Sequence, residues 1–280
     1  MVRFRLSSLV LPVLMLLAGN ANATELQLRQ VISDQVRTLV RAHDIFGLNA
    51  LEHQYRTTRE RTPSGTWKLQ EFYDALEAEL PSPAEVNNCR IPAETLLDEW
   101  SKATPDSPVP HIMRASLLLQ RAWCFRGDDY ASKVPDSAWQ PFRENVAAAA
   151  KVLSGHKAVA SVDPQYYAVM EDIYRSEGRE PDAFRKLLDE ATAKEPYYYG
   201  LYWSAYTYYQ PQWFGSPEDV DALARLAVER TQSKDGTGAY ARFYWYASSL
   251  SCGCWLEAID CPTMKAAMRD IAQRYPDPWN

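Results

Sequence analysis

From Leu26 to Tyr275 apolar side chains recur every three or four residues, in blocks separated by proline, glycine and short polar stretches. That period marks amphipathic helices with one face in a core. Leu26, Leu28, Val31, Ile32, Val36, Leu39 and Val40 predict a helix to about His43. Phe46 to about Arg61 forms a second, with Leu48, Leu51, Glu52 and Tyr55 on one side. Thr62-Pro63-Ser64-Gly65 is a turn signal, and Trp67–Leu80 then carries Trp67, Leu69, Phe72, Tyr73 and Leu76 inward. A loop with three prolines, 81–92, precedes helices at 93–103 and 110–125, and others follow at 137–155, 164–178, 181–194, 240–250 and 262–275. No run of alternating β-branched residues reads as a strand, so the chain is expected to be all-α.

Between Pro196 and Pro217 the pattern changes: PYYYGLYWSAYTYYQPQWFGSP contains no Asp, Glu, Lys or Arg. On a helix over 197–209, Tyr198, Tyr199, Tyr202, Ala205, Tyr206 and Tyr209 share one broad face, and Gly200, Ser204 and Thr207 lie opposite. A helix without a charged face is expected to be buried nearly all round, with partners for its tyrosine hydroxyls. The competing reading is an aromatic platform for sugars or peptides. Ser216, Pro217, Glu218 and Asp219 have the order of a capped helix start.

Asp163-Pro164-Gln165-Tyr166 and Glu195-Pro196-Tyr197-Tyr198 lie about 32 residues apart, each opening a helix of a helix pair, and Thr104-Pro105 has the look of a degenerate earlier copy. Such a repeat predicts a tetratricopeptide-like α-α superhelix of stacked hairpins, whose inner face commonly binds peptides or proteins.

Composition adds an address. Arg3 and Arg5, the apolar run Leu6–Ala18 and Ala21-Asn22-Ala23 together read as a signal peptide cleaved after Ala23. The expectation is residues 1–23 as signal, 24–280 as one helical-repeat-like domain, and a periplasmic or secreted home without an integral membrane segment. Asn20 stands where a lipoprotein would carry its cysteine. Net charge −6 supplies no basic surface for nucleic acid. In an oxidising compartment the five cysteines favour bridges: Cys89 with Cys124, and Cys261 with Cys252 or Cys254, one thiol being left over. Cys252, Cys254 and Cys261 could also supply three zinc thiolates, but no nearby histidine completes a tetrahedral site. No metal or other cofactor is expected.

Arg61-Thr62-Pro63-Ser64-Gly65-Thr66-Trp67-Lys68-Leu69, Phe72-Tyr73, Trp123 with Arg126-Gly127, and Pro211-Gln212-Trp213-Phe214-Gly215 together resemble a bacterial family, the domain of unknown function numbered 4034. The likeness runs from about Phe46 to Trp279. It implies a helical fold related to tetratricopeptide repeats and assigns no activity. In that family's pattern a pair like Trp279-Asn280 leads into another short helix, so the last hairpin is expected to be incomplete or paired differently.

Hydrolase, nucleotide and zinc-protease motifs are missing. Glu52-His53 and His43-Asp44 read as surface pairs, because adjacent helical residues point about 100° apart. Glu60, Glu71, Asp98 and Glu99 are candidates for a carboxylate pair of the glycosidase kind. Trp67, Phe72, Tyr73, Trp123, Arg126, Trp213 and Phe214 are the candidate binding residues. Packing between hairpins, with Arg126 stacked on a ring, is the alternative role. The expectation is a protein- or peptide-binding scaffold with no catalytic residue assigned. A glycan-binding protein or hydrolase on an α/α scaffold is the first alternative, and an immunity or inhibitor protein for a secreted toxin is the other. A deep cleft with convergent carboxylates among exposed aromatics would favour the glycan-directed alternative.

Overall fold

Short polar residues and prolines start the helices. Ser216 accepts from the backbone N–H of Asp219, whose carboxylate bonds back to the Ser216 N–H, with Pro217 in the first turn. Thr24 and Gln27 form the same box at the first helix, and Asp44 accepts from the Gly47 N–H at the second. The computed structural model describes residues 23–250 and 259–280. Its helices are α1 Glu25–Arg41, α2 Ile45–Thr58, α3 Lys68–Glu79, α4 Glu94–Ala103, α5 Val109–Arg126, α6 Asp136–Gly155, α7 Lys157–Ala160, α8 Gln165–Glu177, α9 Pro181–Lys194, α10 Gly200–Tyr208, α11 Pro217–Asp235, α12 Gly238–Leu250 and α13 Cys261–Arg274. No strand occurs among the described residues, only a single bridge between Arg61 and Trp67. The all-α expectation holds. None of the described helices is long and apolar enough to cross a membrane.

Neighbouring helices pack in sequence order: α1 on α3, α5 on α6 and α8, α8 on α9 and α10, α11 on α12, and α12 on α13. The aromatic stretch forms a shorter helix than its periodicity predicts, because residues 195–198 make a turn closed by Tyr198 N–H to Glu195 C=O at 3.1 Å. Its role is to join two apolar clusters. Tyr198 and Leu201 belong to the cluster built from α1 to α9, whereas Tyr199, Tyr202, Ala205, Tyr206 and Tyr208 belong to one built with α11 to α13. The buried hydroxyls are satisfied as burial demands. Tyr198 donates to Gln165 at 2.6 Å, Tyr199 to Asp235 at 2.6 Å, Tyr202 to the Pro196 carbonyl at 2.9 Å and Tyr208 to the Arg179 carbonyl at 2.8 Å.

The two ends of the described chain meet. Arg61 donates to Asp235 at 2.8 Å and to the Tyr275 hydroxyl at 2.5 Å, and Tyr275 donates to the same Asp235 oxygen at 2.5 Å. Asp235, 1% exposed, thus holds three donors from three segments. Beside it, Arg242 donates to the Ser64 carbonyl, and the Ser64 N–H donates to Glu25 at 2.9 Å. The Glu25 N–H donates to Asp277 at 3.0 Å, while Arg29 lies over the Trp279 ring. Gly65 has φ +91°, and a Cβ there would stand 2.8 Å from the Tyr275 ring, so this turn requires glycine. Asp277 and Asn280 therefore bond to α1 and to the 62–65 turn, while α13 packs on α12. The Cys89–Cys124 disulfide fastens the 81–92 loop to α5.

Removing one partner of a buried ion pair strands the other charge, so Asp235→Ala is expected to cost about 3–5 kcal/mol of stability in urea unfolding. Asp129→Ala, which removes an exposed pair with Lys133 and an exposed hydrogen bond from the Tyr130 N–H, should change stability by less than about 1 kcal/mol. Equal effects from the two substitutions would contradict the closure described here.

Candidate functional site

An open cavity of about 1570 Å³ is lined chiefly by α3, α5, α8, α10, α12 and α13. Proline-marked helix starts supply three of those walls: Thr104-Pro105 precedes α5, Asp163-Pro164 precedes α8 and Glu195-Pro196 precedes α10. The small face of α10 borders the cavity through Gly200 and Ser204. A Cβ on Gly200 would come within 2.7 Å of the Gln70 amide oxygen and 2.8 Å of the Tyr198 ring, so these side chains pack closely over the glycine.

The sequence-selected aromatics divide. Trp67, Phe72 and Tyr73 are 2%, 0% and 0% exposed, so they pack the core and offer no surface to a ligand. Trp123, Arg126 and Trp213 come together. The Arg126 guanidinium lies 4.9 Å from the Trp123 ring and 5.3 Å from Trp139, and Arg175 lies 5.4 Å from Trp123 and 4.9 Å from Trp213. This ladder of cations and rings ties α5, α6 and α8 to the 211–215 turn, the stacking role weighed for Arg126. Phe214 stacks on Tyr208 with ring centres 4.8 Å apart. Of the selected residues, Trp123 lines the cavity. Cys124 does so as well, next to its bridge to Cys89. Cys252 and Cys254 lie outside the described residues, and Cys261 is an exposed thiol without a disulfide to any described residue.

Among the four candidate carboxylates, Glu60 pairs with Lys68 at 2.5 Å, Asp98 with Arg114 at 2.5 Å and Glu99 with His43 at 3.9 Å, all away from the cavity. Only Glu71 reaches it, and sequence reasoning missed its companions. Glu71, Asp74 and Glu77 follow one another at helical spacing along α3, and Asp172 enters from α8. The signal was present, since these residues alternate with the inward Leu69, Phe72, Tyr73 and Leu76, but the pattern reads equally as an ordinary solvent face. Sequence reasoning also passed over the stack of Tyr199 on Trp203 at 5.5 Å and Trp203 on Tyr246 at 4.5 Å, which lines the same cavity.

Enclosure governs the acids. Burial raises Glu71 to about 8 against the opposing pull of Arg29, 2.7 Å away. Burial, with the charges of Asp74 and Asp172, raises Glu77 to about 7. Desolvation by the surrounding protein likewise raises Asp74, although its side chain reaches solvent, and Asp172, despite Arg175 at 3.3 Å. Next to Asp172, fully buried Glu171 has no hydrogen-bond partner for either oxygen among the described residues, and burial holds it protonated far above its ordinary range. Comparison with protein-family models, curated proteins and solved structures finds no match to this chain.

The folded chain keeps protons that the unfolded chain releases from 4.5 upward, so these groups lower stability as pH rises through about 7 and 8. Glu77→Gln is therefore expected to reduce the loss of stability between pH 5 and pH 8.5, measured by urea midpoints. Parallel profiles for variant and parent would contradict it. At pH 8, Glu171→Met should raise stability by about 1–3 kcal/mol, the cost of an unsatisfied buried polar group, and destabilisation would contradict that burial.

Proposed function

We propose that this chain is an exported, tetratricopeptide-like helical protein that binds an extended peptide or protein segment within its central cavity. One observation carries the reading: about 1570 Å³, lined by helices that open at repeat-like prolines, exceeds the roughly 300–1,000 Å³ usual for small-molecule sites. The stack of Tyr199, Trp203 and Tyr246 supplies the aromatic surface that peptide-binding hot spots favour. Export is supported by the Cys89–Cys124 bridge and by Thr24, which would begin the mature chain and already caps α1. Likeness to the family numbered 4034 belongs to the same reading, and its Arg61–Leu69 signature supports it by forming the loop that meets the chain's other end.

A second reading, a glycan-directed hydrolase, draws on Glu77 and Asp172 from different helices, with Glu77 raised to about 7 by burial and then by the charges of Asp74 and Asp172, where a general acid works well.

The test is equilibrium capture of a random decapeptide pool by residues 24–280, with Trp203→Ala and the cavity-filling Ser204→Trp as comparisons. Enriched peptides should bind both variants at least tenfold more weakly while helical circular dichroism is unchanged. Undiminished binding by the variants would refute the reading. Cleavage of peptidoglycan fragments by the parent, abolished in Glu77→Gln and Asp172→Asn, would replace it with the second.

A further inference from the structure

The loop of residues 81–92 walls one end of the cavity, and a single bond holds its middle in place. Ser82 and Ala84 of this loop line the cavity, as do Leu119, Trp123 and Cys124 of α5. Pro83 and Ile91 are buried and anchor the two ends of the stretch, but no residue from Ala84 to Arg90 is buried. Among the described residues the hydrogen bonds of that middle stretch stay inside the loop. The N–H groups of Ala84, Glu85 and Val86 donate to Ser82 and Pro83, and the Glu85 carboxylate accepts from the Ser82 N–H. What crosses from the middle of the loop to α5 is the Cys89–Cys124 disulfide.

The backbone beside the bridge is held against its own preference. Asn88 and Cys89 have φ of +63° and +50°, two successive side-chain-bearing residues in the left-handed region. Asparagine tolerates that region, whereas cysteine seldom adopts it, and such a conformation persists only where the surrounding structure imposes it. With no buried side chain and no hydrogen bond leaving the loop, the bridge is what imposes it here. The end of α5 is held independently, because Arg126 and Arg175 lie 4.9 Å and 5.4 Å from the Trp123 ring. Opening the bridge therefore frees the loop and leaves the helix in place. A reductant has a path to it, since both cysteines are half-buried and Cys124 lines the cavity.

We propose that the Cys89–Cys124 bridge is a redox latch on the cavity: closed, it holds residues 84–90 against α5 at one end, and reduction by a thiol releases them and opens that end. The chemistry is thiol–disulfide exchange. A thiolate of the reductant attacks the Cys124 sulfur, the Cys89–Cys124 bond breaks, and Cys89 leaves as a thiolate that takes up a proton. A second thiolate attacks the reductant's sulfur in the mixed disulfide, and Cys124 leaves and is protonated in turn. Two thiols thereby give up two electrons and end as their own disulfide. The inference rests on the peptide-binding reading for its occupant. A segment held partly by Ser82 and Ala84 is bound by the oxidised chain and let go by the reduced one.

To test it, residues 24–280 are treated with dithiothreitol without denaturant, capped with iodoacetamide and cut with trypsin, beside oxidised chain capped in the same way. Cleavage after Arg90, an exposed residue next to buried Ile91, should be at least tenfold faster in the reduced chain. Cleavage after Arg126 and the helical circular dichroism should not change. Cys89→Ser/Cys124→Ser, which opens the latch without an adduct, should behave as the reduced chain does. Equal rates after Arg90, or a bridge that resists reduction in the folded chain, would overturn the inference. So would a rise after Arg126 as large as that after Arg90, which would make the bridge a staple of the whole fold. Capture of the random decapeptide pool then reads the cavity. Peptides enriched by the oxidised chain should bind the reduced chain and the double variant at least tenfold more weakly. Equal binding with the loop released would overturn the inference and leave the peptide reading standing. Faster cleavage after Arg90, with no peptide captured by either form, would uphold the latch and end the peptide reading.

Discussion

Everything enclosed by this fold depends on the ion pair between Arg61 and Asp235, which brings together residues 174 positions apart in the chain. Such a contact must offset the cost of closing a long loop and of taking two charges out of water. Geometry answers the second demand, because Asp235 accepts from Arg61, Tyr199 and Tyr275, and Arg61 also lies 4.9 Å from the Tyr197 ring. Glu25 with Asp277 and Ser64 with Arg242 then extend the closure by hydrogen bonds from an early segment to a late one, and the Ser64 N–H to Glu25 ties the two early segments together. A pair of this kind contributes less to net stability than to choosing one closure among many.

Closure has an electrostatic consequence. Carboxylates on the outside of a helical stack would sit in water and keep ordinary affinities for protons. On α3 Glu71 and Glu77 line an open cavity, where burial makes them hold protons to about 8 and about 7. Folding pays a free-energy penalty to place them there, and packing alone would have put apolar residues in their positions. Groups that break the packing logic of a fold and carry perturbed proton affinities mark functional sites more often than chance allows. Glu171 shows the limit of that rule, for it is equally perturbed yet wholly inside the packing, with no face on the cavity.

Much of the architecture was legible in the amino-acid order. Ser216-Pro217, Asp163-Pro164 and Glu180-Pro181 announce helix starts through local chemistry, and structure puts helices within a residue or two of them. The aromatic run could be read as buried because it lacks any charge to solvate. Its position between two clusters could not, since that depends on which distant helices reach Tyr198 and which reach Tyr199. Glu71, Asp74 and Glu77 were illegible as a site for a related reason: a polar helical stripe is the same pattern whether it meets bulk water or a cavity. Trp67 and Tyr73 failed as ligand contacts by the converse route, because a large ring suits a core as well as a groove. Sequence distance hid Arg61 and Asp235 altogether.

Hydrogen exchange measured by mass spectrometry on the parent chain and on Asp235→Asn tests the central claim most directly. If the ends hold each other, loss of the carboxylate will speed exchange together in residues 61–67, in α12 and α13, and in residues 275–280, while α5 and α6 remain protected. Faster exchange confined to the end of α11, with residues 61–67 unchanged, would contradict the account.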